Sequence, residues 1–366
     1  MNGYFDANAT TALHPAARDA WLAAPWHNPS SLYREAAAAH EYLEDCRQRL
    51  SDILDCESGE LIFVSGATEA NNAVLDHFIR HGRPIAVSAI EHPSIREPAA
   101  GAWRIPTGSD GIVSLDAVRD RLRENRPALV SLMAANNETG VLQPWLDCLT
   151  LCREAGTAFH CDAAQWLGKL PASGLGECDF LTGSAHKFGG PKGVGFLKVS
   201  AAHGPLRWLR GGPQEERQRA GTENLPGIAA MVAALETVEC RLAERDKWEL
   251  HRNEFEAAIR STIPDIRIVA ADSPRLWNSV LLVMPRHPNV KWLARLSREG
   301  FQVSTGSACS SGEGASEVLA AMGLAADALG RVIRVSSTWD QTSADWAALA
   351  GAFADIHTSL EKDGGR

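Results

Sequence analysis

Four stretches of this sequence carry side chains that can do chemistry, and small residues surround each of them. The first is S-G-A-T-E-A-N-N, Ser65 to Asn72. It follows an apolar run and opens a helical pattern. Gly66 permits a tight turn and Thr68 offers a hydroxyl; the free N–H groups and dipole of a helix start suit an anion such as phosphate. An ordinary N-cap explains the same residues equally well. The G-K-[ST] ending of a Walker loop is absent. The second is H-C-D-A-A-Q, His160 to Gln165. Asp162 falls at a strand end, where a carboxylate either holds a protonated ring nitrogen or caps the next segment. The third is S-A-H-K-F-G-G-P-K-G, Ser184 to Gly193. Lys187 is an amine beside glycines that allow close backbone approach. Such a lysine forms a Schiff base with a carbonyl, contacts a phosphate, or simply faces solvent. The fourth is S-T-G-S-A-C-S-S-G-E-G, Ser304 to Gly314. Its small polar residues predict a mobile, exposed loop. Cys309 is then a nucleophile, if its thiol is helped to ionise from a pKa of about 8.5, or a tolerated surface thiol.

Together these stretches say more than each does alone. A phosphate cradle, a strand-end acid and a Gly-flanked lysine, in that order, are the three anchors that pyridoxal 5'-phosphate (PLP) needs. An exposed cysteine further along adds a nucleophile.

The elements that must hold these residues are legible as alternating patterns between about 60 and 200. Strands are predicted at 61–64, 84–88, 128–133, 157–161, 180–182 and 194–199, with helical segments between them. Such alternation implies a mainly parallel sheet covered on both faces, with ligands bound beyond the strands' carboxyl ends. The chemistry-bearing residues cluster at those ends. From Asn224 to about Thr262 one long helix is predicted, because no Gly or Pro follows Gly227. After Pro264, strands at 280–283, 301–304 and 332–336 predict a smaller α+β domain. The expected division is a large PLP-binding domain over 13–250 and a small domain made of 1–12 and 251–366.

Composition narrows the function. The chain has 366 residues, a net charge of −9, and 45 % hydrophobic and 22 % charged residues. This mildly acidic balance disfavours a nucleic-acid or membrane-surface binder. The N-terminal residues lack a secretory pattern, and no run approaches a membrane span. The eight cysteines are scattered without C-x2-C pairs, which predicts reduced, mostly buried thiols in a cytoplasmic protein and no metal site. Cys148 and Cys152 are predicted to share one helix face.

The motifs resemble those of the cysteine desulfurases, within the class-V aminotransferase-like group of fold-type I PLP enzymes. The resemblance runs from Phe5 to about Ser336. It is carried by F-D-A-N-A-T-T, N-P-S-S, F-V-S-G-A-T-E-A-N-N, E-H-P, N-N-E-T-G-V-L-Q-P, H-C-D-A-A-Q, S-A-H-K-F-G-G-P-K-G-V-G, R-A-G-T-E-N-L-P, G-S-A-C-S-S-G and I-R-V-S. It implies an α/β fold with a large, mainly parallel seven-stranded sheet domain and a smaller α+β domain. Lys187 would hold PLP covalently, Asp162 would pair with the pyridine nitrogen, and Gln165 would face the ring hydroxyl. His92 would stack on the ring beside Asn137. Ala67, Thr68, Ser184 and His186 would bind the phosphate. Thr222 would reach the phosphate from a neighbouring subunit, implying a homodimer with shared sites. Arg334 would hold the carboxylate of L-cysteine, with Asn8 assisting. Cys309 would take the sulfur as a persulfide for a protein acceptor, such as an iron–sulfur scaffold or a thiolation enzyme. The small-residue run around Cys309 resembles the family branch with a long, flexible cysteine loop.

Several positions depart from the pattern. Tyr33 stands where a His is common, and the first motif reads D-A-N. Pro213 replaces a Gly of G-G-G-Q-E, S-S-T-W-D-Q-T follows Arg334, and the C-terminal tail is short. None touches Lys187, Asp162, Cys309 or Arg334, so they bear on the partner rather than the chemistry. The competing expectations are a selenocysteine lyase or another PLP carbon–sulfur lyase, and a non-catalytic regulatory partner with the same fold.

Overall fold

The computed structural model describes residues 3–306 and 316–364. Cys309 lies outside them. The larger sheet has seven strands: β1 (Leu61–Val64), β2 (Ile85–Ser88), β3 (Trp103–Ile105), β4 (Leu129–Ser131), β5 (Ala158–Asp162), β6 (Phe180–Ser184) and β7 (Gly195–Val199). Their order is β1-β7-β6-β5-β4-β2-β3. Strands β3, β2, β4, β5 and β6 pair in parallel. Strand β7 runs antiparallel to both β6 and β1. The carboxyl ends of β1, β2, β4, β5 and β6 therefore share one sheet edge with the start of β7. Burial explains the composition: β1, β2, β4, β5, β6 and β7 are buried along their whole length and are rich in apolar residues, with the polar ones of β2, β4, β5 and β6 toward their carboxyl ends. The short β3 was not visible in the sequence pattern.

The smaller sheet joins β8 (Arg267–Ile268), β9 (Ser279–Val283) and β10 (Val332–Ser336) in the order β10-β9-β8. Its own cluster includes Phe5, Phe255, Trp292, Trp346 and Phe353, all at most 2 % exposed. The N-terminal segment closes onto this sheet, because Ala7 N–H donates to Ser336 O at 2.9 Å and Phe5 N–H to Gln302 O at 2.8 Å.

Two sequence expectations need correction. Residues 301–304 form no strand of the small sheet. Gln302 bridges to Tyr4 and Ser304 to Arg334, so the segment divides its pairing between two neighbours, and the third strand is Arg267–Ile268. The long helix is two helices, Leu225–Arg241 and Arg245–Thr262, separated by a 3-10 turn at Leu242–Glu244. No breaker residue marks that turn. Tertiary contacts accompany it: the Arg241 guanidinium bonds Asp340 and Trp339 O and lies 5.6 Å from the Trp248 ring. Cys148 and Cys152 do share the helix Trp145–Ala155, and both are buried. Among the described residues no helix is long and apolar enough to cross a membrane.

Candidate active site

At the shared edge of the large sheet lies a cavity of about 540 Å³. Each strand end delivers one part of its wall. After β1, Gly66 caps the helix Ala67–Arg80 with no side-chain hydrogen bond, at φ 147°. That backbone conformation favours glycine. The first N–H groups of the helix are thus left to the cavity, whose wall includes Ala67, Thr68 and, from the end of β6, Ser184. A Cβ on Gly66 would stand 3.6 Å from Ser184 Oγ, so the hollow between them is narrow. Glu69 clamps the turn. Burial alone would raise its pKa, but hydrogen bonds from Arg219, Ser65 and Trp208 prevail and bring it down to about 2.

After β2, His92 opens a short helix and lines the cavity. Its Nδ1 accepts from Ser94 N–H at 3.1 Å, so the neutral ring keeps its proton on Nε2. The surrounding protein lowers its pKa by burial, against the pull of Asp162. At the end of β5, Asp162 is held on both oxygens. Oδ2 accepts from Asn71 Nδ2 at 2.8 Å and Oδ1 from Ala164 N–H at 2.9 Å. Asn71 also donates to Ser94 Oγ, which bonds His92 Nδ1 at 2.8 Å. One polar chain therefore fixes Asp162 and His92 together.

After β6, a 3-10 turn carries His186 and Lys187. Lys187 Nζ donates to Asn8 O at 2.6 Å and Ala9 O at 2.9 Å. Its pKa is lowered to about 8, first by burial and then by the Arg334 charge, with Asp162 opposing. His186 falls to about 4 through burial and the Lys187 charge. On the far wall Arg334 is 2 % exposed. It bonds Asp6 Oδ1 at 2.7 Å and the Asn137 and Gly306 carbonyls, while its buried Nε has no partner among the described residues. Asn137 Oδ1 is likewise buried and, among the described residues, unpartnered.

Asn8, Asn137, Gln165, His186, Lys187 and Arg334 all line the same cavity. Asn8 differs from the expectation in one respect. Its side chain is spent on Ser279, Asn278 and Asn137 O, so its backbone carbonyl is what faces Lys187 and Gln165. Thr222 is exposed and does not line this chain's cavity. The groups present fit PLP. An uncapped helix N-terminus suits a phosphate, a partly neutral amine suits an aldehyde, and a fixed carboxylate suits a ring nitrogen.

The class-V aminotransferase family model matches residues 3–349. A cysteine desulfurase of Enterobacter agglomerans is 36 % identical over 328 residues, covering 85 % of this chain and 81 % of that protein. A cysteine desulfurase of Klebsiella pneumoniae is 36 % identical over 348 residues, covering 91 % and 87 %. The chain belongs to the cysteine desulfurases of the class-V aminotransferase family. The solved NifS-like protein of Rickettsia africae superposes with a TM-score of 0.89 at 29 % identity, covering 97 % of this chain and 99 % of that one. Against this desulfurase fold, the sequence did not assign Asn71, Asp6 or Glu69. Asn71 and Glu69 sit inside the S-G-A-T-E-A-N-N motif and Asp6 inside F-D-A-N, so a motif signal existed. Their partners, 91, 328 and 150 residues away, did not show in it.

Proposed function

We propose that this protein is a PLP-dependent cysteine desulfurase that converts L-cysteine to L-alanine and collects the sulfur as a persulfide on Cys309. The observation that carries the assignment is the convergence of Lys187, Asp162, His92 and Arg334 on one cavity beside an uncapped helix N-terminus. Lys187 would hold the cofactor covalently, with Asp162 at the ring nitrogen and Gln165 at the ring hydroxyl. Ala67, Thr68, Ser184 and His186 would hold the phosphate, with Thr222 from a partner subunit. Bound PLP supplies a conjugated electron sink for the bonds around the substrate α-carbon.

The chain's own residues do the rest. The Arg334 guanidinium, buried and with Nε unpartnered among the described residues, offers a carboxylate charge-assisted hydrogen bonds and orients L-cysteine. Lys187, poised near pH 8, exchanges a proton with the substrate α-carbon as general base and acid. His92 lines the cavity and, with Nδ1 accepting from Ser94 N–H, keeps its proton on Nε2. In the overall transfer the Cys309 sulfur forms a bond to the cysteine sulfur as the substrate C–S bond breaks. The thiol hydrogen is balanced by the hydrogen gained at the alanine methyl. The persulfide then passes to a protein acceptor, an iron–sulfur scaffold or a thiolation enzyme. The enzyme works as a cytoplasmic homodimer. The test is incubation with L-cysteine, measuring alanine and mapping the persulfide by mass. Alanine with persulfide on Cys309 is the expected result. Sulfide release undiminished in Cys309→Ala without added thiol would instead indicate a lyase.

A further inference from the structure

Lys169 is a buried amine with no counter-ion among the described residues. It is 2 % exposed. Its Nζ donates to the Gln165 carbonyl at 3.2 Å and to Gln165 Oε1 at 3.1 Å, and among the described residues it has no carboxylate partner. The charges that face it, Lys187 and Arg334, are both positive. Burying an amine with no carboxylate beside it opposes folding, and its two hydrogen bonds to Gln165 offset only part of that cost. The turn that carries it is wedged against the catalytic lysine's segment. A Cβ on Gly168 would stand 2.4 Å from Phe188 Cβ, and Trp277 Nε1 donates to Lys169 O at 2.9 Å.

We propose that Lys169 is a positioning residue that dictates which end of the Gln165 amide faces the cofactor cavity. A side-chain amide can sit either way round, and its neighbours decide. On one side of Gln165 is the Asn8 carbonyl, which only accepts, 2.9 Å from Nε2. On the other is the Lys169 amine, which donates to Oε1. The two neighbours agree, so the carbonyl end is held at Lys169. The second Nε2 hydrogen is left for the cavity that Gln165 lines. A donor aimed there suits an anionic ring oxygen, and a flipped amide would present an acceptor to it instead. A hydrogen bond given to that oxygen withdraws charge and lowers the chromophore's proton affinity. Lys169 is therefore a remote tuner of the cofactor, acting through Gln165. Its lowered pKa, about 7 through burial and then Lys187 and Arg334, is compatible because a neutral amine still donates.

This inference rests on the PLP assignment made above, and its experiment separates the two. The PLP-loaded protein is titrated with pH while its visible band is recorded. In Lys169→Met the midpoint of that band is expected to rise by about half to one pH unit, the worth of one hydrogen bond. In a Gln165→Leu background the same change is expected to add nothing. An unchanged midpoint in Lys169→Met overturns the proposal, and so does an equal shift in both backgrounds, which would mean that the charge acts directly. Lys169→Ala, which removes the donor without adding bulk, carries the same test if the Met variant does not accumulate in soluble form. A wild-type protein with no visible band overturns the PLP assignment and this inference together.

Discussion

Lys187 can act as a nucleophile only while its amine is unprotonated, and its surroundings set when that is so. Burial and the Arg334 charge bring its pKa to about 8. About a tenth of it is then free amine at pH 7, against roughly one part in several thousand for an ordinary lysine. Lowering a lysine's pKa extends the neutral form to lower pH. The rate at which cofactor-free protein takes up PLP is therefore expected to climb with pH and level off above about 8. A rate still rising steeply at pH 10 would show an ordinary lysine. Lys187→Ala is expected to abolish turnover and the covalent link, and borohydride labelling of another lysine would move the role. Arg334 is tested by substrate affinity. Arg334→Lys keeps the charge but loses the planar fork. It is expected to raise KM for L-cysteine by about tenfold or more, with a smaller change in kcat. An unchanged KM would place the carboxylate elsewhere. Asp162 was legible because it closes β5, and Lys187 because it follows the end of β6 among glycines and other small residues. Asn71 and Asp6 were not, since what they do depends on partners brought close only by the folded chain.

The elements impose their own electrostatics, and Glu91 at the end of β2 is the clearest case. It is fully buried, with Ser88 Oγ and Met133 N–H donating to Oε1 at 2.6 and 2.8 Å, while Oε2 has no partner among the described residues. Burial pushes its pKa up to about 8, with Asp162 adding to the rise. Its folded-state pKa lies above the unfolded value near 4.5, so its stability contribution is fully present below about pH 4.5. That contribution is lost as pH rises towards 8, at most about 1.4 kcal/mol per pH unit within that window. Glu91→Gln removes the titration. The variant is expected to gain melting temperature relative to the wild type between pH 5 and pH 8. A constant difference across those pH values would show that Glu91 stays ionised or that water reaches Oε2. At this scale the strand ends were readable because the strands of the sheet are rich in apolar residues and stop at polar turns. The break at Leu242–Glu244 was not, because R-L-A-E-R is good helix sequence and the break accompanies distant Asp340 and Trp339. Residues 301–304 misled in the opposite direction, since a β-rich pattern cannot say with how many neighbours a segment will pair.

The whole molecule leaves two things unaccounted for in a single chain. Segment 21–33 exposes Leu22 at 76 %, Trp26 at 84 % and Leu32 at 103 %, with Trp21 and Tyr33 also open. Thr222 is exposed away from its own chain's cavity. Its loop is nevertheless held firmly. Glu215 receives a two-pronged ion pair from Arg47 at 2.9 and 3.1 Å and a hydrogen bond from Phe63 N–H. Arg219 is locked to Glu69 in the turn at the start of the helix Ala67–Arg80. Residues Glu215, Glu216 and Arg217 hold positive φ in succession, a conformation that persists only when the surroundings enforce it. A loop so constrained and yet aimed outward suits a role in a partner's cavity. The homodimer expectation then makes a sharp demand. Thr222→Ala is expected to lose about tenfold in activity, one hydrogen bond to a charged group, and Lys187→Ala to lose all of it. If Thr222 serves the neighbouring site, a subunit lacking Lys187 still lends its Thr222 to a Thr222→Ala partner. Mixing the two variants under subunit exchange therefore restores one intact site per mixed dimer, and about a quarter of all sites for random pairing. Activity in the mixture that never exceeds the sum of the two variants would place Thr222 in its own chain's chemistry, or in none.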